Sequence, residues 1–600
     1  MLAKFKSIFL LLSDTLIIIS SQIFTLFLLG EKYLNILTPV STAIIFMTIG
    51  WIIGLYRTRI SHLGITAAWQ VLIAILAASL IMFLYRESFS LILFSSILSF
   101  IGIISYRVLV REILFQQRHS NAARTLVYGA GAAGIQFVTA SMQGDTHNVI
   151  GYIDDDSDLC GTLIHGRNVY PSKSISSLIK KYNINMIVLA LPSIANTKRK
   201  KIIESLIPLP ARVVTIPTFE DLIEGKQITQ TEDITVDDLL GRDSIPPKDE
   251  YMKVQTQGKV CLVSGAGGSI GSELCRQIVK CNPKHLILLD ISEPALFDIE
   301  QDMLQAKFTK ISCYLGSVTD SNLIDKIFYE NNIDSTFHAA AYKHVPMVEA
   351  NPMAALINNV NGTKNFLKAA IKANCKSFTL ISTDKAVRPT SVMGATKRLA
   401  EMTCQIEAES PSCTTIISIV RFGNVLGSSG SVIPTFVKQI KNGGPVTLTH
   451  PDITRYFMTI PEAAQLVIQA SGMARSGDLF LLDMGTPVKI YDLAVRLIRL
   501  SGKSVQLNEN IQEPGAIEIK ITGLRPGEKL YEELLVGSNA QKTEHPKIMR
   551  AREQYINKEE LEIGLKNLFK ALNKNNIKEF KTTLTNIVDG YKSPEFKEYV

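Results

Sequence analysis

The sequence predicts two α/β units, each built on a parallel sheet, behind a helical N-terminal segment that crosses a membrane. Three observations carry this. Four apolar runs, near residues 8–30, 36–55, 67–84 and 88–106, each hold about 18 to 23 mostly apolar residues, enough to cross a hydrocarbon core of about 30 Å as helices. An apolar strand, a glycine-rich turn and a helical pattern follow one another twice, at 125–134 and at 260–271. Beyond residue 258, strands at 260–264, 286–290, 335–340, 377–382 and 416–421 alternate with helical patterns, which calls for a doubly wound parallel sheet.

The 600 residues exceed what one core holds, at roughly 100 to 200 residues per domain. A cleavable signal would have a shorter apolar core and would not precede three more spans, so residues 1–110 read as four transmembrane helices. Basic residues gather at Lys4 and Lys6, at Arg57 and Arg59, and at Arg107, Arg111, Arg118 and Arg124, whereas the other two loops offer mainly Glu31, Lys32, Arg86 and Glu87. The bias of basic residues toward the inner face places both ends of the anchor, and everything after about residue 110, in the cytosol. Asp14, inside the first run, reads as a structural charge near a helix end or paired within the bundle. The net charge of +8 comes partly from the juxtamembrane arginines and a lysine-rich C-terminus, and fits an anionic lipid surface. No basic, aromatic-interleaved motif argues for nucleic acid. Eight scattered cysteines without a Cys-x-x-Cys pair argue against a disulfide framework or a metal site.

Residues 121–240 read as a small Rossmann-like domain. Gly129, Gly131 and Gly134 have dinucleotide-loop spacing there, but no catalytic segment follows, which leaves packing, regulation and nucleotide binding all open. Residues 241–257 read as a linker. In the larger domain, 258–552, Gly265, Gly268 and Gly271, with Ser269 and Ile270 between them, let backbone approach a pyrophosphate at a helix N-terminus. Asp290 ends the next strand, where a carboxylate accepts from an adenosine ribose diol. No Arg or Lys directly follows to receive a 2′-phosphate, so NAD is expected rather than NADP. From Gly423 onward, short elements read as a substrate-binding cap, and 553–600 as a solvated, amphipathic helical tail.

The chemistry concentrates in Thr383-Asp384-Lys385. A carboxylate and an amine on adjacent residues can give a proton to a leaving hydroxyl and take one from carbon, which points to a dehydration enclosed in a redox cycle. The block His338-Ala339-Ala340-Ala341-Tyr342-Lys343, then Asn359 to Thr363, then Ser382 to Lys397, resembles extended short-chain dehydrogenases in order and spacing. With Arg421-Phe422-Gly423-Asn424, Thr454-Arg455-Tyr456 and Arg525-Pro526-Gly527-Glu528-Lys529, the whole chain resembles the membrane-anchored UDP-N-acetylglucosamine 4,6-dehydratases of bacterial polysaccharide and glycan biosynthesis.

That resemblance implies an enzyme of the bacterial inner membrane, with four anchoring helices, a non-catalytic Rossmann-like domain and a cytoplasmic catalytic domain. It implies NAD held by Gly265, Gly268, Ser269, Ile270, Gly271, Asp290, Ala339, Ala340 and Lys397. Catalysis falls to Thr383, Asp384, Lys385, Met393 and Lys397, with Lys343, Asn424, Arg455, Arg525 and Glu528 gripping a UDP-sugar. The expected partners are UDP-N-acetylglucosamine, the lipid bilayer and a further copy of the chain, at least a dimer, with no nucleic acid. In the implied cycle C4 is oxidised, Lys385 takes the C5 proton with its pKa lowered by burial and by Lys397, Asp384 protonates the departing C6 hydroxyl, and hydride returns to C6. Met393 stands where the general tyrosine of Tyr-x-x-x-Lys belongs, which leaves the group that deprotonates O4 unassigned. Ser317 stands where many relatives carry an aspartate near the adenine. The Met-bearing branch implies retention at C5 and the xylo product. Two other readings stand beside this one: a UDP-sugar 4-epimerase, which needs no C5 base, and a catalytically dead membrane scaffold or nucleotide sensor, which Met393 would allow.

Overall fold

The computed structural model describes residues 2–29, 37–56, 65–85, 88–119, 122–142, 144, 146–192, 194–217, 225–234, 238–239, 246–506, 515–533 and 540–593. The inter-helix charges Glu31, Lys32, Arg57, Arg59, Arg86 and Glu87 lie outside the described residues, as do 241–245 of the expected linker. The chain forms two compact units, Met1–Pro171 and Ser172–Val600.

The first unit opens with α1 (Leu2–Leu28), α2 (Leu37–Ile52), α3 (Ile65–Leu84) and α4 (Phe89–His119). Three of these, not four, contain stretches long and apolar enough to cross a membrane: Phe9–Leu28, Thr66–Leu84 and Phe89–Val110. At about 1.5 Å per residue, the 16 residues of α2 span only about 24 Å. The apolar run continues past Ile52, but Gly54 turns left-handed at φ +80° and the Leu55 N–H reaches back to the Gly50 carbonyl at 2.9 Å, which ends the helix early. Phe46, Ala74, Ile75, Ala78 and Ile103 pack inside the bundle, while Leu16, Leu76, Leu80 and Ile101 face outward. Asp14 is paired: Arg107 Nη2 lies 2.6 Å from its carboxylate, tying α4 to α1. Behind the helices, β1 (Ala123–Tyr128), β2 (His147–Asp154), β3 (Leu163–Ile164) and β4 (Arg167–Pro171) lie in the order β3-β4-β2-β1, with α5 (Ala132–Ser141) joining β1 to β2.

In the second unit, β5 (Met186–Leu189), β6 (Arg212–Thr215) and β7 (Glu232–Asp233) lie side by side. The expected linker contains α6 (Asp249–Val254), which is seated on α9 (Ile460–Gly472): the Lys248 N–H donates to Gln469 Oε1 at 2.8 Å, and a Cβ on Gly472 would stand 2.3 Å from the Tyr251 carbonyl.

A nine-stranded sheet carries the rest. Its strands are β8 (Val260–Ser264), β9 (His285–Asp290), β10 (Ile311–Leu315), β11 (Ser335–His338), β12 (Ser377–Thr383), β13 (Ile416–Phe422), β14 (Asp478–Leu482), β15 (Gln541–Lys542) and β16 (Ile548–Ala551), in the order β10-β9-β8-β11-β12-β13-β14-β16-β15. The pairings from β10 through β14 are parallel. Side chains on successive strand residues point to opposite faces, so Cys261 and Val263 enter one core and Val260 and Leu262 the other. A third core joins Val392, Met393, Leu399 and Met402 of α8 (Val392–Ala408) to Leu561, Leu565, Leu568 and Leu572 of α10 (Lys558–Asn573) and to Phe580 and Leu584 of α11 (Ile577–Ile587). The tail is therefore packed against α8 by its apolar stripe rather than solvated all round.

Candidate active site

The glycine turn joins β8 to α7 (Ser269–Lys280) and sets one wall of a cavity of about 840 Å³. Gly265 sits at φ +66°, and a Cβ there would lie 2.8 Å from the Ala340 nitrogen; a Cβ on Gly271 would lie 1.9 Å from the Gly265 carbonyl oxygen. Only glycine fits either position, and the bare backbone is left open to a pyrophosphate at the start of α7. Asp290 holds the turn from below, accepting the Gly267 N–H at 2.9 Å and the Ser292 N–H at 2.8 Å. Gly265, Gly268, Ser269, Ile270, Gly271 and Ala339 all face the cavity, whereas Ala340 and Asp290 stand behind its wall. Asn359 fixes the adjoining loop, accepting the Tyr342 N–H at 2.8 Å and donating to the Tyr342 carbonyl at 3.0 Å, and Lys343 next to it lines the cavity. Ser317 accepts the Thr319 N–H at 3.2 Å and caps the turn after β10.

The opposite wall begins where β12 ends. Thr383 Oγ1 accepts the Lys385 N–H at 3.4 Å and shapes a short helical turn over Asp384–Ala386. The same hydroxyl donates to Asp384 Oδ1 at 2.9 Å, and Lys385 Nζ donates to that oxygen at 2.9 Å and to Asn424 Oδ1 at 3.0 Å. A Cβ on Gly394 would stand 2.2 Å from the Lys385 carbonyl, so glycine there lets α8 press against the turn. Thr383, Lys385, Met393, Lys397 and Asn424 line the cavity; the Asp384 side chain is buried beneath them.

The charges differ from expectation. Burial pulls the Lys385 amine down, but the carboxylates of Asp384 and Glu532 outweigh it and hold the amine above its usual range, against a smaller opposing push from Arg455. Lys397 is depressed instead, and burial lowers Lys343 on the same cavity as well. Burial lowers Lys397 to about 8 although Glu401 works the other way, and its Nζ donates to the Ile381 carbonyl at 2.7 Å. In the cap, Arg455 Nη2 lies 3.3 Å from Glu528 Oε1, and Glu528 also accepts from Thr449 Oγ1 and from the Arg525 N–H, both at 3.2 Å. Arg455, Arg525 and Glu528 all reach the cavity, with the Arg525 side chain exposed.

A family profile described as polysaccharide biosynthesis protein matches residues 261–553, and one described as a CoA-binding domain matches residues 52–217. The capsular polysaccharide biosynthesis protein CapD of Staphylococcus aureus is 40% identical over 458 residues, covering 75% of each chain. The chain belongs to the polysaccharide biosynthesis protein family. The probable polysaccharide biosynthesis protein EpsC of Bacillus subtilis is 42% identical over 450 residues, 73% of each chain. A UDP-glucose 4-epimerase of Rickettsia massiliae is 34% identical over 284 residues, 46% of this chain and 77% of its own.

In this polysaccharide biosynthesis protein two carboxylates matter that motif reading passed over. Glu401, one helical turn beyond Lys397, accepts Ser382 Oγ at 2.6 Å and Arg421 Nε at 2.7 Å, and Arg421 also binds Glu553 at 2.6 Å. This buried network joins α8 to β12 and β13. Glu532 lies just past the Arg525–Lys529 motif, with Oε1 at 3.8 Å from both Lys385 Nζ and Arg455 Nε. The motif pointed to the segment but not to the residue within it. His338 is structural: fully buried, held to Ser264 Oγ at 2.7 Å and Thr363 Oγ1 at 2.9 Å, with burial first and Lys397 second pushing it down to about 3.

Proposed function

We propose that the protein is an NAD-dependent UDP-N-acetylglucosamine 4,6-dehydratase, anchored in a bacterial inner membrane with its catalytic unit in the cytoplasm. The observation that carries the reading is the hydrogen-bonded Asp384–Lys385 pair, 2.9 Å apart at the end of β12, with the amine on the cavity wall facing the glycine turn. The cradle fits a dinucleotide, since side chains at Gly265 and Gly271 would fill it, and the carboxylate assigned to the ribose is Asp290 at the end of β9. Bound there, NAD supplies the redox chemistry, accepting hydride from C4 and returning it to C6 of the sugar.

The chain's own residues do the rest. Arg455 and Arg525 offer guanidinium forks suited to a diphosphate, and Glu528 orients Arg455. Thr383 places a hydroxyl toward O4. The C4 ketone acidifies C5–H, Lys385 takes that proton as a free amine, and Asp384 in its protonated form supplies one to O6 through the Thr383 hydroxyl on the cavity wall as water leaves. An epimerase, the activity in the name of one relative, needs no such pair.

Mass spectrometry of UDP-N-acetylglucosamine after incubation with the protein and NAD tests the reading. Loss of one water is expected; an isomer of unchanged mass would establish the epimerase, and unaltered substrate the scaffold. Lys385→Met should lose turnover by about 1,000-fold, as removal of a proton-transfer group does, while still forming NADH in a single turnover.

A further inference from the structure

With Met393 on the cavity wall where a tyrosine would serve as base, the O4 proton of the substrate needs another way out, because a thioether takes up no proton. Thr383 lines the same cavity and donates to Asp384 Oδ1 at 2.9 Å, so a proton arriving on its oxygen can be matched by its own proton moving inward. That step leaves Asp384 protonated, as O6 departure requires. It leaves a debt at Lys385, which rests as an ammonium between two carboxylates and has to shed a proton before it can take one from C5.

Glu532 stands where that proton can go. Its side chain is 3% exposed, its Oε1 lies 3.8 Å from Lys385 Nζ, and its Oε2 has no hydrogen-bond partner among the described residues. A shift of about 1 Å brings the amine and Oε1 into hydrogen-bond range. The groups facing Lys385 are Asp384 on its own turn, Glu532 from the cap, and Arg455 from the strand Thr454–Arg455, whose charge Glu528 shares at 3.3 Å. Two carboxylates on one ammonium give the site room for one extra proton.

We propose that Thr383, Asp384, Lys385 and Glu532 form a closed proton circuit, in which the O4 proton reaches Asp384 through the Thr383 hydroxyl and Glu532 stores the proton that Lys385 sheds. Glu532 is thus a positioning residue acting through Lys385. The inference rests on the dehydratase reading, and its steps balance. O4–H breaks, its proton passes through Thr383 to Asp384, and hydride goes from C4 to the bound dinucleotide. Lys385 gives one proton to Glu532. C5–H breaks with its proton going to Lys385, while the C6–O bond breaks and the hydroxyl leaves as water with a proton that Asp384 passes back out through the Thr383 hydroxyl. Hydride returns to C6, Lys385 returns a proton to C5, and Glu532 restores the ammonium. Every group ends as it began, and the water carries off the proton that was on O4.

The test uses the full-length protein with NAD and UDP-N-acetylglucosamine, following NADH absorbance and product mass in single turnovers. Glu532→Gln should oxidise C4 within about threefold of wild type but lose water about 100-fold more slowly, so that NADH accumulates. Its water loss should also rise about tenfold per pH unit above neutrality, as Lys385 sheds its proton to solvent, where wild type is flat. Thr383→Val should slow oxidation about 100-fold, and adding Met393→Tyr should restore it by supplying an independent base. The circuit is overturned by Glu532→Gln at wild-type rates, by oxidation and water loss falling together with an unchanged pH profile, or by Thr383→Val that tyrosine does not rescue. A wild-type protein that never removes water from the sugar overturns the dehydratase reading instead.

Discussion

Lys385 and Lys397 face one cavity, yet their surroundings shift the two amines in opposite directions. Lys385 has two carboxylates within 4 Å, at 2.9 Å and 3.8 Å, and stays charged; Lys397 spends its hydrogen bond on a neutral carbonyl and is lowered to about 8. Motif spacing revealed both lysines and the Asp384 pairing, because adjacent residues at a strand end share a site. It missed which of the two is depressed, because that depends on how deeply folding buries Lys397 and on Glu532, brought in beside Lys385 from the cap. The linkage has a definite sign. Lys397 titrates near 8 when folded and near 10.5 when unfolded, so between those values the unfolded chain holds more protons and stability rises with pH. Relative to Lys397→Met, wild type should therefore gain roughly 3 kcal/mol as pH climbs through that window, read from urea melts at a series of pH values. Parallel melts for the two proteins across the window would show that Lys397 is an ordinary exposed amine.

Among the elements, those fixed by local rules were legible and those fixed by remote packing were not. The turn before α7 could be read because Gly265 and Gly271 answer to backbone geometry alone. Asp290 was expected to serve a ribose; what the structure shows is its carboxylate bracing the turn through Gly267 and Ser292. The end of α2 was missed, since an apolar run does not show that Gly54 turns the chain left-handed. The tail was read as helical, but the recurrence of Leu561, Leu565, Leu568 and Leu572 on one face was not matched to the bare face of α8. Asp290 gives this scale its prediction. A carboxylate at the ribose repels a 2′-phosphate, so NAD should bind at least 10-fold more tightly than NADP, about 1.4 kcal/mol. Asp290→Ser should narrow that ratio while weakening NAD itself, because the turn loses its brace. Equal affinities for the two dinucleotides in wild type, measured by calorimetry, would mean that the carboxylate does not reach the ribose.

Across the whole molecule, chemistry and anchorage occupy separate stretches of chain. Every residue that lines the cavity, from Gly265 to Glu528, belongs to the second compact unit, while the three long apolar helices belong to the first. Within the second unit, the described part of the segment 172–217 meets the cap through the close approach of Gly502 to the Arg212 backbone and through Arg496 and Glu204, 3.5 Å apart and more than a third exposed on both sides, an exposed ion pair that contributes about 0–1 kcal/mol. By contrast, α6 is clasped to α9 by the Lys248–Gln469 hydrogen bond and the close approach of Tyr251 to Gly472. A fragment starting at residue 246, which keeps that clasp, the nine-stranded sheet and the tail against α8, should therefore fold alone. It should also retain turnover within about 10-fold of the full-length protein, the margin expected when no group that transfers a proton is removed. A fragment starting at 258 should melt earlier, since it lacks α6. If the longer fragment melts cooperatively and binds NAD but produces no change in the mass of the sugar nucleotide, a residue before 246 takes part in the reaction, and the division of labour between the two units is wrong.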